Sequence, residues 1–398
     1  MKRRYIFSPF YNYKRAFDKH YLEHQFAKQL VLIPEEVGLL FQNPLYSLMG
    51  IGESVLDLPE YAEVLKALLE TGVLVSPDTH YEDLTRFMVR PYYTYLGVPF
   101  ADADTVENGL VLWGVPFALG NDNPNNLDRN SAALRRYGHR YNLIRSDLRQ
   151  ADSILGRPLD FTKDQGIVDI GDSFFSRRLN PVHSVQRIQE RAFQLASADN
   201  RIIAIGGDHS ITYPLFKGVQ QRHEDLVCVH LDAHNDLFLT AECAFEDLAP
   251  SHSSVIAKLL RQGFEVNSLG LRSFVNVESL DFDELPNYHP RFCQNDQEFL
   301  QQIDQLILQL RGKKVYLTLD IDVLDPSHFS SVTDPLPGGL SPQAVLQAFA
   351  SINEEADVVA MDLVEANVSA DAPIDMHQFL SFLIEIVNLY HLTNHESF

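Results

Sequence analysis

Three apolar runs of this chain each end in groups able to hold a cation, and that pattern restricts the fold more than any other feature. Val227 to Asp236 reads Val-Cys-Val-His-Leu-Asp-Ala-His-Asn-Asp. Its first half has the look of a buried strand, and its second half places Asp232, His234 and Asp236 two residues apart. In extended chain such side chains project to one side, with Cα atoms roughly 6.5–7 Å apart. Val315 to Asp325 has the same build, with Asp320 and Asp322 sharing a face at the end of its run. Ile202 to Ser210 is a third apolar strand, followed by the Gly206-Gly207 turn and His209. In open α/β sheets, ligands bind where strands end in this way. Crowded carboxylates cost several kcal/mol per ion to bury without compensation, so these strand ends need cations.

Four aspartates and two histidines make an oxygen-rich donor set that favours two divalent ions such as Mn2+ over zinc or an iron–sulfur cluster. Shared carboxylates would hold such ions about 3.5–4 Å apart. On its own His209 reads as a helix-start or core histidine; beside the aspartates it reads as a ligand. His230 is assigned to the opposite face of its strand from Asp232 and is read as packing. Asp325 is read as a support for its loop.

The 398 residues suffice for one large α/β domain and a small additional one. Alternation of apolar strands with helical stretches at 212–221, 253–262, 296–310, 342–355 and 375–390 implies a parallel sheet covered on both faces. The net charge of -22 argues against nucleic-acid binding. It suits cationic substrates, and it also simply aids solubility. Three cysteines make no disulfide framework, and Cys228 reads as a small core residue. No apolar run is long enough to span a bilayer, and the basic start at Lys2, Arg3 and Arg4 lacks the apolar stretch of a secretory signal. The expected compartment is the cytoplasm, with no membrane partner.

Residues 1–85 form an N-terminal accessory region in this reading, 86–108 a tyrosine-rich linker, and 109–398 the catalytic domain. Tyr21 to Leu32 has mixed helical spacing. Pro59 to Glu70 is a clearer helix, with Leu65, Leu68 and Leu69 as its apolar stripe and Gly72 as its stop. Val73-Leu74-Val75 follows as a strand. Helices followed by a strand suggest a winged-helix-like unit over 20–80. A helix starting at Ser131 is expected to be capped by Asn130 or Ser131.

The motifs Gly206-Gly207-Asp208-His209-Ser210, Asp232-Ala233-His234-Asn235-Asp236, Asp320-Ile321-Asp322-Val323-Leu324-Asp325-Pro326 and Glu365-Ala366-Asn367 resemble, in order and spacing, those of the ureohydrolase superfamily of arginase, agmatinase and formiminoglutamase. The resemblance runs from about Gly109 to the C-terminus. It implies a three-layer arginase-like fold and two Mn2+ ions. His209 and Asp236 would hold one ion and His234 and Asp322 the other, with Asp232 and Asp320 bridging. It implies that Asp236 orients the attacking hydroxide, that Glu365 grips a guanidinium, and that His252, in Pro250-Ser251-His252-Ser253, passes a proton to the leaving amine. It also suggests an oligomer. The accessory region is similar to leader-peptide recognition domains of enzymes that modify ribosomally made peptides; a simple cap on the core is the plainer reading.

Two stretches depart from that family. Ser330-Ser331-Val332-Thr333-Asp334 replaces a proline–glycine–threonine–glycine loop near the mouth of the site. Ser273, Phe274 and Val275 stand where arginases carry an acid for the substrate's α-ammonium. The loop from Leu237 to Ala249, with Phe238, Cys243, Phe245, Glu246 and Asp247, differs as well. A site that keeps a guanidinium carboxylate but lacks partners for an amino-acid head should not prefer free arginine. The expected substrate is an arginine side chain within a peptide, converted to ornithine with release of urea. The alternatives are agmatine or another small guanidine, then formiminoglutamate, then an inactive relative that only binds.

Overall fold

The computed structural model describes residues 4–7, 11–16, 19–24, 30–42, 51–52, 62–70, 73–75, 88–121, 127–141, 153–156, 166–175, 181–238, 249–273, 285–369 and 371–392. The chain forms two compact units, residues 1–87 with 174–184, and residues 88–173 with 185–398.

The described part of the first unit is built from strands β1 (Arg4–Phe7), β2 (Tyr11–Ala16), β3 (Lys19–His24) and β4 (Leu30–Ile33), helix α1 (Glu35–Gln42), strand β5 (Ile51–Gly52), helix α2 (Ala62–Glu70) and strand β6 (Leu74–Val75). β2-β3-β4 make one antiparallel sheet and β5-β1-β6 another. The helical reading of Tyr21 to Leu32 is therefore corrected. His20 and Leu22 point inward while Tyr21 between them is only half-buried, a period of two that marks a strand. The winged-helix order of helices before a strand is corrected too, because four described strands precede the first described helix. Helix α1 lies so close to β3 that a Cβ on Gly38 would fall 2.0 Å from His20 Nδ1. Leu22, Val37, Ile51, Leu65 and Leu74 share a small core. Pro59 and Gly72, expected to bound the second helix, lie outside the described residues.

The second unit carries β7 (Met88–Val89), β8 (Leu110–Val115), α3 (Asn130–Gly138), β9 (Ile167–Ser173), β10 (Arg201–Gly206), α5 (Thr212–Gln220), β11 (Val227–Leu231), α6 (Val255–Arg261), β12 (Val266–Leu271), β13 (Tyr288–Phe292), α7 (Asp296–Leu310), β14 (Lys314–Asp320), α8 (Pro342–Glu355), β15 (Asp357–Val364) and α9 (Pro373–Leu392), while helix α4 (Pro181–Ser197) begins among the residues counted with the first unit. Nine described strands form one sheet in the order β13-β12-β11-β14-β15-β10-β8-β9-β7. Only β7 runs antiparallel to its neighbour. β8, β11 and β12 are buried along their whole length, as strands covered on both faces must be. Phe299, Ile303, Leu306 and Leu310 recur at helical spacing on α7 and enter the main core. Each such side chain contributes about 1.5–3 kcal/mol on burial. Among the described residues no helix is long and apolar enough to cross a membrane.

Three local expectations change here. Residues 88–108 are not a linker, since Tyr95 and Leu96 are fully buried in the main core. Helix α3 has no side-chain cap; Asn130 instead donates to the carbonyls of Gly206 and Ala366 at 2.6 and 2.9 Å, tying the helix to the ends of two strands. Strand β13 is additional. It is an edge strand, where Pro290 is tolerated although it breaks a strand pattern read from sequence.

The strand order positions the site. β10 and β11 are consecutive in the chain yet separated in the sheet by β14 and β15. All four run parallel, so the loops after them open at one end of the sheet's centre, where the strand order reverses.

Candidate metal centre

His209 follows β10, Asp232 to Asp236 follow β11, Asp320 ends β14 with Asp322 in the turn after it, and Glu365 follows β15. The Gly206-Gly207 turn lets the chain pass the backbone after β8: a Cβ on Gly207 would sit 1.7 Å from the Phe117 carbonyl oxygen. Asp236 and Glu365 adopt left-handed backbone, with φ of 48° and 58°. Such conformations cost of order 1–3 kcal/mol each away from glycine and cluster at functional sites.

The structure brings the six expected ligands together. Nδ1 of His209 lies 3.2 Å from Asp232 Oδ2, 3.1 Å from Asp236 Oδ2 and 3.2 Å from Asp320 Oδ2. Nδ1 of His234 lies 2.9 Å from Asp322 Oδ2 and 3.5 Å from Asp232 Oδ1. Two groupings have metal-ligating spacing: His209, His230, Asp232 and Asp236, and Asp232, His234 and Asp322. Asp232 belongs to both, as a shared carboxylate would.

The electrostatics of this cluster call for added positive charge. Burial, then Asp322 and Asp232, hold the Asp320 carboxyl well above the usual carboxylate range. Burial and Asp232 push Asp322 up to about 6. Burial alone would lower the His209 pKa, yet Asp232, Asp236 and Asp320 raise it well above the usual range for histidine. His234 is likewise driven up to about 12, against burial, by Asp232 and Asp322. His209 Nδ1 and Asp236 Oδ2 are buried without a hydrogen-bond partner. Orphaned donor atoms facing one another across about 3 Å are what a cation between them would satisfy.

A polar row lies beneath the carboxylates. Ser268, His230, Thr318 and Asp362 are cross-strand partners on β12, β11, β14 and β15. Asp362 is fully buried and accepts from Thr318 Oγ1 at 2.6 Å, from Thr212 Oγ1 at 2.8 Å and from the Tyr316 hydroxyl. With its proton given to Asp362, Thr318 accepts from His209 Nε2 at 2.9 Å. His230 is thereby corrected from packing to support. Residues 230 and 232 are two apart and share a face; His230 Nε2 donates to Asp232 Oδ2 at 2.8 Å while Nδ1 meets Ser268 Oγ at 2.8 Å.

Beside the cluster is a pocket of about 370 Å³. Glu365, His252, Ser253, Asn235, Ser273 and Phe238 line it, with Thr333 to Leu336. Glu365 Oε1 accepts the His209 backbone N–H at 2.8 Å, and Oε2 accepts from Thr333 Oγ1 at 3.0 Å and Asn121 Nδ2 at 3.4 Å. Burial, then Asp208, push Glu365 up to about 7. His252 Nδ1 lies 2.9 Å from the Gly120 carbonyl, an acceptor only, so Nδ1 is the donor in that bond. No lysine or arginine is among the described lining residues. Arg272 nearby is committed to backbone carbonyls of Asp322, Val323, Leu324 and Leu336. Phe274, Val275 and the residues 239–248, singled out in the sequence, lie outside the described residues.

Comparison with known proteins agrees with this arrangement. The sequence profile of the arginase family matches residues 108–383. An N(1)-aminopropylagmatine ureohydrolase of Thermus thermophilus is 33% identical over 189 residues, which cover 48% of this chain and 62% of the relative. An agmatinase of Bacillus cereus is 32% identical over 189 residues, covering 47% and 62%. The chain thus spans 62% of the length of these curated relatives. Among solved structures, a putative agmatinase from Clostridium difficile superposes with a TM-score of 0.60 at 24% identity, covering 72% of this chain and 99% of that one. The formimidoylglutamase of Bacillus subtilis gives 0.60 at 20% identity, covering 82% and 99%.

Proposed function

The chain belongs to the arginase family, and from that premise we propose that it hydrolyses a guanidino C–N bond of a small alkylguanidine such as agmatine, releasing urea and leaving an amine. The observation that carries this reading is the Glu365 carboxylate. It is fixed by the His209 N–H and Thr333 at the edge of the His/Asp cluster, in a pocket whose described walls offer no cation for a carboxylate-bearing substrate.

His209, Asp232, His234, Asp236, Asp320 and Asp322 would hold two Mn2+ ions. Bound there, the ions would supply acidification of a shared water, so that hydroxide is available near neutral pH. The chain's own groups do the rest. Glu365 accepts paired hydrogen bonds from the planar guanidinium and presents its carbon to the cluster. Asp236, held in left-handed backbone at the edge of the cluster, accepts a hydrogen bond from the attacking oxygen and fixes its direction. The tetrahedral carbon then expels an amine that must gain a proton. His252 relays it: Nε2 takes up a proton from water in the pocket and passes it to the leaving nitrogen, while the Nδ1–H bond to Gly120 keeps the ring oriented.

A second reading, arginine side chains within a peptide, is favoured by one feature. Residues 1–87 lie outside the matched stretch and contribute strands and helices with their own core. Peptidyl arginine, like agmatine, carries no free α-carboxylate. The test is to load the full chain with Mn2+ and supply agmatine, arginine, formiminoglutamate and arginine-containing peptides in parallel. Urea from agmatine and little from arginine is expected. Formamide release, or urea from arginine at equal efficiency, would overturn the reading; a peptide losing a cyanamide unit while agmatine stays intact would move it to the second substrate.

A further inference from the structure

Where the sequence departs from its family, Thr333 and Asp334 occupy the mouth of the pocket. Thr333 faces inward and donates to Glu365 Oε2 at 3.0 Å. Asp334, the next residue, also lines the pocket, but it is exposed and meets no hydrogen-bond or ion-pair partner among the described residues. Two consecutive residues thus address the guanidinium end of the pocket and its outer end.

The loop that carries them is held in place. Asp325 accepts the backbone N–H groups of Gly338 and Gly339 at 2.8 and 3.0 Å, closing the loop's base. Ser330 Oγ donates to Asp375 Oδ2 at 2.9 Å, as does Ser331. The Asn367 N–H reaches the Ser331 carbonyl at 2.7 Å, and Val332 pairs with Ala366 just after Glu365. A carboxylate on so constrained a segment is preorganised and loses little freedom on meeting a ligand. No described cation competes for it, since Arg272 is spent on carbonyl oxygens.

Building on the guanidine-hydrolase reading, we propose that Asp334 is a specificity-determining residue that binds a second cationic centre, an ammonium group at the far end of the substrate's alkyl chain. The substrate class is then a dication with guanidinium and ammonium ends. A zwitterion is disfavoured because its carboxylate would face Asp334, and a neutral-tailed guanidine loses the outer contact. The overall charge of -22 adds a long-range attraction of the same sign.

The experiment compares agmatine with n-pentylguanidine, which replaces the terminal ammonium by a methyl group. Both are titrated calorimetrically into the full, Mn-loaded chain and followed for urea release, in the native protein and in Asp334→Asn, Asp334→Lys and Asp334→Glu. The native protein should bind the dication at least about tenfold more tightly than its neutral-tailed analogue, the size of one partly exposed charge-assisted hydrogen bond. Asp334→Asn should bring that ratio close to one, Asp334→Lys should invert it, and Asp334→Glu should retain most of it. A preference that survives Asp334→Asn overturns the proposal, and so does a native protein that binds neither compound or both alike. Absence of urea from every guanidine would overturn the hydrolase reading instead, while the binding ratio still decides the role of Asp334.

Discussion

The proton inventory around His209 decides what its ring can do. Asp362 collects three hydroxyl donors, which leaves Thr318 able only to accept from His209 Nε2. Without a cation the three carboxylates hold a proton on Nδ1, and a bound metal ion would have to displace that proton while Nε2 keeps its own on Thr318. Partners behind a metal-ligating histidine are worth about ten- to hundredfold in metal affinity. Thr318→Val and Asp362→Asn should each weaken Mn2+ binding by about that factor in calorimetric titration of metal-free protein, with little change in secondary structure by circular dichroism. Unaltered affinity in both would show that the row is only packing. Glu365→Gln tests the other half of the site. Glutamine keeps an oxygen for the His209 N–H but lacks the charge, so kcat/KM for a guanidine should fall about hundredfold or more while bound metal stays stoichiometric. Metal loss in this variant would place Glu365 among the supports of the cluster. The six candidate ligands that the structure brings together were legible because they cluster at or just after the ends of three apolar runs. His230 was misplaced by a phase error, and Thr318 and Asp362 gave no local signal. A threonine inside an apolar strand gains its meaning only from cross-strand register.

Among the elements, the loop from Asp325 to Gly339 connects fold and function most directly. The hydroxyl and N–H of Ser327, then the N–H groups of Gly339 and Gly338, hold the Asp325 carboxyl well below the usual carboxylate range. A carboxylate depressed in the folded state stabilises above its unfolded pKa of about 4, and that contribution fades as pH falls through the lower folded value. Asp325→Ala should therefore lower the melting temperature at pH 7 by a few degrees, as expected for about 1 kcal/mol. The gap between variant and native protein should shrink at and below about pH 3. KM for a guanidine should rise with the loosened rim. A gap that stays constant down to pH 2 would show that the ionised carboxylate is not what holds the loop. The parallel strands and most helices of the second unit were readable from periodicity, because burial on both faces gives long apolar runs. β13 was not, with Pro290 in an edge strand of five residues. In the first unit β6 was read within Val73-Leu74-Val75, but β2, β3 and β4 were not, since their antiparallel pairing is set by contacts outside any helical or apolar window.

At the level of the whole chain, the two units have separate cores, one around Leu22 and Leu65 and the other spanning the long sheet. The described ligand cluster belongs wholly to the second unit, on loops after β10, β11 and β14. Any ion that binds the native cluster and not the unfolded chain stabilises by mass action, about 2.7 kcal/mol at a hundredfold excess over Kd. For a unit of this size that shifts melting by roughly 4 °C. Calorimetry of the full chain with excess Mn2+, and again with a chelator, should move the transition of the larger unit upward by that amount. A transition belonging to residues 1–87 should stay where it is, and limited proteolysis followed by mass spectrometry can assign which segment opens first. Equal displacement of every transition would mean that the accessory residues fold only together with the catalytic unit. In that case removing them would disable hydrolysis of small guanidines as much as of peptides, and the peptide-substrate reading would lose its one structural argument.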